Sequence, residues 1–333
     1  MDTIIKKEHG NGGKQTFELI NEVFKKAFEN KFLEKADDAT SLFVNSNDIA
    51  VSTDSFVVKP IFFEGGDIGK LSVCGTSNDL AVSGYRIRYL TTSFIIEEGF
   101  KFDDLIRIAE SIGEYTRKMD AFVVAGDTKV VEKGACDGIF INTTGIGEKI
   151  EKFQSFIQVK DGQSIIASGD IGRHGACIYS HNQELGLEKP ITSDCDLLYK
   201  PISEILGMYP NSVSYIKDLT RGGLATALNE ISIKSGISIE INEEKLPISN
   251  EVLGISDILG LDPLYLACEG RFVIIVEDII KKDVIEILKK YNLNACEIGK
   301  TIDDKKQKVY LKTLFGGTRI VDMLYFEMLP RIC

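Results

Sequence analysis

Cys333 is the last residue of the 333-residue chain, so a thiol stands at the end of a tail that follows Pro330. A thiol there cannot serve as core, but it can carry a group into a pocket that a packed side chain cannot reach. A frayed end that happens to finish in cysteine is the simpler reading of the terminus by itself, so the pocket that overturns it must come from elsewhere in the chain. Candidate components lie where apolar runs stop. Asp54 sits inside Val51-Ser52-Thr53-Asp54-Ser55-Phe56, Asn78 and Asp79 lie in the segment 68–83, and Gly126-Asp127-Thr128-Lys129 closes the run 121–125. Lys217-Asp218-Leu219-Thr220-Arg221-Gly222-Gly223 leads into a helical pattern. A carboxylate beside buried apolar sequence is costly unless it is paired or holds a cation. Several converging carboxylates suit Mg²⁺, which takes carboxylate and phosphate oxygens and keeps some waters. Helix starts at 220–223 and at 10–14, the latter with Gly12 and Gly13, offer backbone N–H groups to an anion. Taken singly, each element also reads as a cap, a buried ion pair or a turn, and the GxxxxGK[ST] loop is absent. The residues alone are compatible with a magnesium–nucleotide site that lacks a P-loop, and those alternatives stay open.

The elements that must position these groups follow from periodicity. Phe17, Ile20, Phe24 and Phe28 recur at helical spacing after the glycines. Strands are expected at 49–58, 91–96, 121–125 and 138–144, with helices at 68–83 and 102–119. The pattern lapses at 148–161, where a domain junction is placed. Beyond it, strands are expected at 164–168, 236–241 and 271–276 and helices at 193–208, 223–234 and 279–291, with a hairpin from 309 to 323 around Gly316-Gly317. The length allows two domains with real cores. A net charge of −11 argues against general affinity for nucleic acid or an anionic membrane. No run is long and apolar enough to span a bilayer and no signal-peptide core opens the chain, so the expected location is the cytoplasm. Seven scattered cysteines without a CxxC pair, and only three histidines, argue against a zinc site or a disulfide framework.

An ordered set of motifs runs through nearly the whole chain: His9-Gly10-Asn11-Gly12-Gly13, residues 52–58, Gly65-Gly66-Asp67-Ile68-Gly69-Lys70-Leu71, residues 73–84 and Gly126-Asp127-Thr128-Lys129-Val130-Val131. His174-Gly175-Ala176, Asp218-Leu219-Thr220-Arg221-Gly222-Gly223, Glu269-Gly270 and the final Pro330-Arg331-Ile332-Cys333 complete it. The set resembles the hydrogenase expression/formation family HypE, within the superfamily of aminoimidazole ribonucleotide synthetase, selenophosphate synthetase and thiamine-phosphate kinase. The tail tetrapeptide separates that family from its relatives. Asn11, Glu64 and Cys268 depart from the family pattern, which usually has Ser, Pro and Asn there, and Cys268 neighbours Glu269.

The resemblance implies an α+β, two-domain PurM-like fold. A sheet-plus-helix domain over 1–155 would serve ATP binding and dimerisation, an α/β sandwich would span 156–326, and a flexible tail over 327–333 would carry Cys333. It implies that a carbamoyltransferase, HypF, loads the Cys333 sulfur, that the carbamoyl group is dehydrated with ATP to a thiocyanate, and that a HypC–HypD complex receives the cyano group. That group becomes a cyanide ligand of [NiFe]-hydrogenase. Asp54, Asp79 and Asp218 would hold Mg²⁺, while Gly12, Gly13, Asn78, Asp127, Thr128, Thr220, Arg221 and Gly222 would contact the nucleotide. Lys129 would offset charge on the transferred phosphoryl group and Glu269 would take protons from the amide nitrogen. Read by themselves, Lys129 is a strand-end lysine and Glu269 a turn acid. The rival expectations are a superfamily kinase or synthetase for a free small molecule, such as thiamine phosphate or selenide, and a nucleotide-sensing scaffold. Fully extended, residues 327–333 span at most ~25 Å, enough for the tail to swing between a partner and the pocket.

Overall fold

The computed structural model describes residues 3–34, 39–183, 189–324 and 331–333. The first half begins with α1 (residues 14–28), which is α-helical at Lys14–Leu19 and Lys25–Phe28 and wound wider at Ile20–Phe24. There follow β1 (Ile49–Phe56), α2 (Ile68–Val82), β2 (Tyr85–Glu97), α3 (Phe102–Lys118), β3 (Phe122–Val131) and β4 (Ile139–Lys149). The strands lie in the order β1–β4–β2–β3, antiparallel except for β2 with β3. Asp67 caps α2 by accepting from the Gly69 and Lys70 N–H groups at 2.8 and 3.0 Å. Leu105, Ile108 and Ile112 form the buried stripe of α3, and its terminal charges (Asp103 and Asp104 early, Arg117 and Lys118 late) complement the helix dipole.

Helices α2 and α3 cover one face of this sheet. The other face is open: Val51 is 61% and Ile95 43% exposed. Side-chain alternation then assigns faces. Asp54 lies level with Thr143 and Thr143 with Thr92, all on the covered face, whereas Asp127 pairs with Ser93 and Lys129 with Ile95 on the open one.

The second half contains β5 (Ser164–Ala167), α4 (Arg173–Asn182), α5 (Tyr199–Met208), β6 (Val213–Asp218), α6 (Gly223–Ser235) and β7 (Ser238–Asn242). It continues with α7 (Asn250–Leu259), β8 (Phe272–Val276), α8 (Lys281–Lys289), β9 (Cys296–Ile302), β10 (Val309–Lys312) and β11 (Thr318–Ile320). Its sheet runs β11–β10–β7–β9–β5–β8–β6, with β10 and β7 parallel. Every residue of β5 and β8 is buried because apolar clusters pack on both faces.

The halves are joined by packing as well as by chain. Phe153 sits between Val82 of α2 and Ile202 of α5, and α4 and α7 add Ile178 and Val252 to the core of the first half. Gly84 (φ +88°) makes room for Phe153, since a Cβ there would lie 2.2 Å from its ring.

Several elements differ from the periodicity reading. The second strand runs from 85 to 97 rather than 91 to 96, and the helix expected at 193–208 begins at 199. Residues 193–198 stay irregular because Ser193 and Asp194 use their side chains on backbone N–H groups. Helices α4 and α7 and strand β9 were not anticipated. Gly172, at φ +81°, starts α4 with no side-chain cap, so no start signal marks it. Of the expected flexible tail, residues 327–330 lie outside the described residues, while 331–333 are seated against the protein.

Candidate active site

Three carboxylates meet where the two sheets approach each other. Asp54 on β1 accepts the Thr76 hydroxyl at 2.9 Å, and Asp79 on α2 accepts the Ser52 hydroxyl at 2.8 Å. Asp218 ends β6, buried, with the Lys217 ammonium 3.4 Å away. Burial, and then repulsion from Asp218 and Asp54, pushes Asp79 up to about 6. Asp54 is also raised, by burial first, against the Thr76 hydrogen bond and with repulsion from Asp218. This donor set suits a hard divalent cation. Among the described residues, however, no group of three His, Cys, Asp or Glu side chains is arranged to hold a metal ion by itself. A cation here would share the carboxylates with phosphate oxygens, the usual mode of Mg²⁺.

Beyond Asp218 the chain turns into α6. Gly222 (φ +79°) is its N-cap, and the Gly223 N–H closes the turn on the Thr220 carbonyl at 2.9 Å. This leaves Arg221 projecting from the turn, and its Nη2 donates to Cys333 Sγ at 3.2 Å.

Glu269 acts on the sulfur through its charge and is only 3% exposed. Its Oε1 is buried with no hydrogen-bond partner among the described residues. Burial, and then the charges of Asp194, Asp218, Asp54 and Asp79, raise its pKa well above the ordinary value. Gly270 is required beside it: a Cβ there would stand 1.9 Å from the Asp194 carbonyl oxygen. Cys268 packs inside, its sulfur accepting the Gly172 N–H at 3.0 Å, so the thiol takes a structural hydrogen bond.

Asn78 bridges the two halves. Its amide donates to the carbonyls of Asp196 and Glu269, at 2.9 and 3.3 Å, and its oxygen accepts from the Leu198 N–H at 2.9 Å. Both amide protons are used on backbone, so Asn78 clamps Glu269 to α2 and has none left to offer a nucleotide.

The tail reaches this centre beside the segment that follows β1, turning at Arg331 (φ +54°). The Val57 N–H donates to the main-chain oxygen of Cys333 at 3.1 Å, and the Lys59 N–H to that of Arg331 at 3.2 Å. Arg331 returns Nε–H to the Val57 carbonyl at 2.8 Å, pairs with Asp137 and lies over the Phe140 ring. His174 Nε2 lies 2.9 Å from the Ile332 carbonyl. Burial, followed by the charge of Glu269, raises the Cys333 thiol, with Arg221 acting in the opposite direction.

The remaining expected residues stand elsewhere. Gly12, Asp127, Thr128 and Lys129 line a cavity of about 320 Å³ whose apolar wall includes Phe24 and Phe94. Gly13 caps the adjoining α1. Lys129 pairs with Asp127 at 2.8 Å, both well exposed. Strands β1 and β3 are opposite edges of a four-stranded sheet, three spacings or ~14 Å apart, and Asp54 and Lys129 use opposite faces. Within one chain these are two clusters rather than one site.

Comparison with known proteins agrees with the geometry. Residues 36–149 match the family model of AIR synthase related protein, N-terminal domain, and residues 160–312 match its C-terminal domain. The carbamoyl dehydratase HypE of Bradyrhizobium diazoefficiens is 40% identical over 328 residues, covering 98% of this chain and 95% of that protein. The chain belongs to the HypE family. A crystal structure of HypE in complex with ATP matches with a TM-score of 0.93 at 39% identity, over 98% of this chain and 99% of that one. The chain in a HypE–HypF complex matches at 0.79 with 44% identity, over 92% and 99%. The fold is the two-domain PurM-like architecture that the motifs implied.

Two residues absent from the motif-based site belong to it. His174 touches the tail, and Asp194 Oδ1 accepts the backbone N–H groups of both His174 and Glu269, at 3.1 and 3.2 Å. Neither carries a local signal, because a buried histidine and a loop aspartate are ordinary core features.

Glu269 yields a stability prediction. In the unfolded chain a glutamate ionises near ~4.3, and here the folded value is higher. Its contribution is therefore fully present below the unfolded pKa and is lost as pH rises through the folded one. Glu269→Gln avoids that loss. In nucleotide-free protein, its denaturant midpoint is expected to rise relative to the parent as pH climbs above the ordinary glutamate range. A difference that does not change with pH contradicts the assignment.

Proposed function

We propose that this protein dehydrates an S-carbamoyl group on its own Cys333 to a thiocyanate at the expense of ATP, so providing the cyano group for the metal centre of a [NiFe]-hydrogenase. The observation that carries this reading is the position of the Cys333 sulfur, against Arg221 and under the charges of Glu269 and Asp54. A tail whose own sulfur docks among these groups gives the site a built-in substrate, which disfavours a free one.

The chemistry balances in two steps. The carbamoyl oxygen bonds to the γ-phosphorus as the bond to ADP breaks, and the nitrogen gives up one proton. The C–O bond then breaks, the nitrogen gives up its second proton, and S–C≡N and phosphate result. Glu269 is the base for these protons. A carboxylate raised towards neutrality accepts a proton from a weak acid far better than an exposed glutamate does. Arg221 is placed to offset negative charge beside the sulfur as the phosphoryl group arrives. Asp54, Asp79 and Asp218, with phosphate oxygens, are the residues that would hold Mg²⁺, which when bound neutralises the triphosphate.

Lys129, Asp127 and Thr128 enter through a second copy. The open sheet face presents Val51 and Ile95 to solvent, and pairing two such faces buries them while bringing β3 of one copy towards β1 of the other. Lys129 then offsets phosphoryl charge in the site of its neighbour, and Gly12 and Gly13 flank that same edge. Loading requires the opposite tail position. A docked, neutral thiol is a poor nucleophile, so Cys333 must leave the pocket to receive its carbamoyl group from HypF. It must leave again to pass the cyano group to a HypC–HypD complex. All seven cysteines are free, which suits the reducing cytoplasm.

Two experiments test this. Intact mass should show a carbamoyl adduct on incubation with carbamoyl phosphate and HypF, then loss of one water on adding ATP, with neither change in Cys333→Ala. An adduct stable to ATP contradicts the reading. Mixing inactive Lys129→Ala and Glu269→Gln chains should restore about a quarter of the parent rate, since about half the dimers are mixed and each mixed dimer rebuilds one site. A mixture as inactive as its components contradicts the shared site.

A further inference from the structure

His174 is fully buried at the start of α4, and no step derived above uses it. Its ring lies edge-on to Phe63, with centroids 5.4 Å apart. Nε2 is 2.9 Å from the Ile332 carbonyl, which can only accept, so Nε2 carries the proton. Nδ1 is then an acceptor, and the Ser193 hydroxyl stands 2.8 Å from it. The Cys195 N–H occupies an acceptor position on that same hydroxyl at 3.1 Å, which turns the Ser193 proton towards the ring. The other tautomer would set lone pair against lone pair at the tail. Beneath the ring, Asp194 Oδ1 binds the N–H groups of His174 and Glu269 together. The group that reads the tail and the group proposed to take its protons therefore hang from one carboxylate oxygen.

We infer that His174, its tautomer set by Ser193, is a positioning residue that reads the Ile332 carbonyl and so fixes the register of Cys333 against Glu269 and Arg221. It recognises a peptide group, so it acts on whatever the sulfur carries and whichever side chain stands at 332. The Val57 and Lys59 N–H groups and Arg331 hold the tail beside the segment that follows β1, and His174 adds a contact to the one peptide carbonyl between them, that of Ile332. That contact fixes how the last residue turns towards Arg221 and Glu269.

The inference rests on the dehydration reading for its rate arm but not for its accessibility arm. In nucleotide-free protein, the alkylation rate of Cys333 by iodoacetamide should rise about 2- to 10-fold in Ser193→Ala and in His174→Phe, the worth of one neutral hydrogen bond. His174→Gln, which can still donate an N–H, should stay nearer the parent. With carbamoylated protein and saturating ATP, the dehydration rate should fall by a similar factor in the same order, with KM for ATP unchanged. Ser193→Ala leaves the ring in place and so gives a reading even if His174→Phe fails to fold. Parent-like alkylation in both Ser193→Ala and His174→Gln, with His174→Phe either parent-like or unfolded, overturns the inference. So does a rise in KM for ATP that matches the rate loss. If alkylation shifts as expected while no variant, parent included, dehydrates its adduct, the positioning role stands and the proposed reaction falls.

Discussion

The site depends on three residues of tail seated along the extension of one strand. Backbone bonds from Val57 and Lys59, the Arg331–Asp137 pair and the His174 contact bring a terminal sulfur into a pocket that the two domains share. Each bond is individually modest. Their sum must be small enough to break, because a thiol sealed there is uncharged and out of reach of a donor enzyme. An anchorage made of backbone hydrogen bonds and one partly exposed ion pair suits the docking and leaving proposed for this segment.

Around that sulfur, electrostatics explains why the resting site is incomplete. Asp54, Asp79, Asp218, Asp194 and Glu269 crowd into a small volume, while Arg221 and Lys217 are the cations that touch it. Burial first, and then the excess of acid, raises Glu269 and Asp79, and the unbalanced acid prepares the pocket for a cation and a phosphoryl group. In the proposed pairing of open faces, a second copy would supply a further positive charge through Lys129, so the pocket would gain a cation as the phosphoryl group arrives. The open sheet face and the separation of Lys129 from Glu269 within one chain are two aspects of one arrangement.

Much of this was legible in the sequence, and what was not has identifiable reasons. Asp54, Asp79 and Asp218 stand out because charge inside apolar runs is expensive, and the structure brings them near one another, Asp218 buried and the other two half-buried. Helices α2 and α3 and strands β1, β4 and β8 follow from periodicity. Glu269 and Lys129 look locally like a turn acid and a strand-end lysine, so only their place in an ordered set of motifs marked them. Asn78 was grouped with the nucleotide, yet it clamps the backbone across the domains. His174 stood in the motif set without a role, because its helix starts on an uncapped glycine and nothing local shows what its ring meets. Its partners Ser193 and Asp194 lie in a stretch whose composition favours helix until their side chains claim the backbone. Local pattern reports burial and period; it does not report which distant carbonyl a buried ring will meet.

The central claim is that the carbamoyl oxygen on Cys333 leaves as phosphate. It is tested most directly by loading the protein with a carbamoyl group labelled with heavy oxygen, adding unlabelled ATP in ordinary water, and weighing the released phosphate. The account predicts that each phosphate carries one heavy oxygen as the thiocyanate forms. Thiocyanate formed with unlabelled phosphate, and the heavy oxygen found in water, would contradict it.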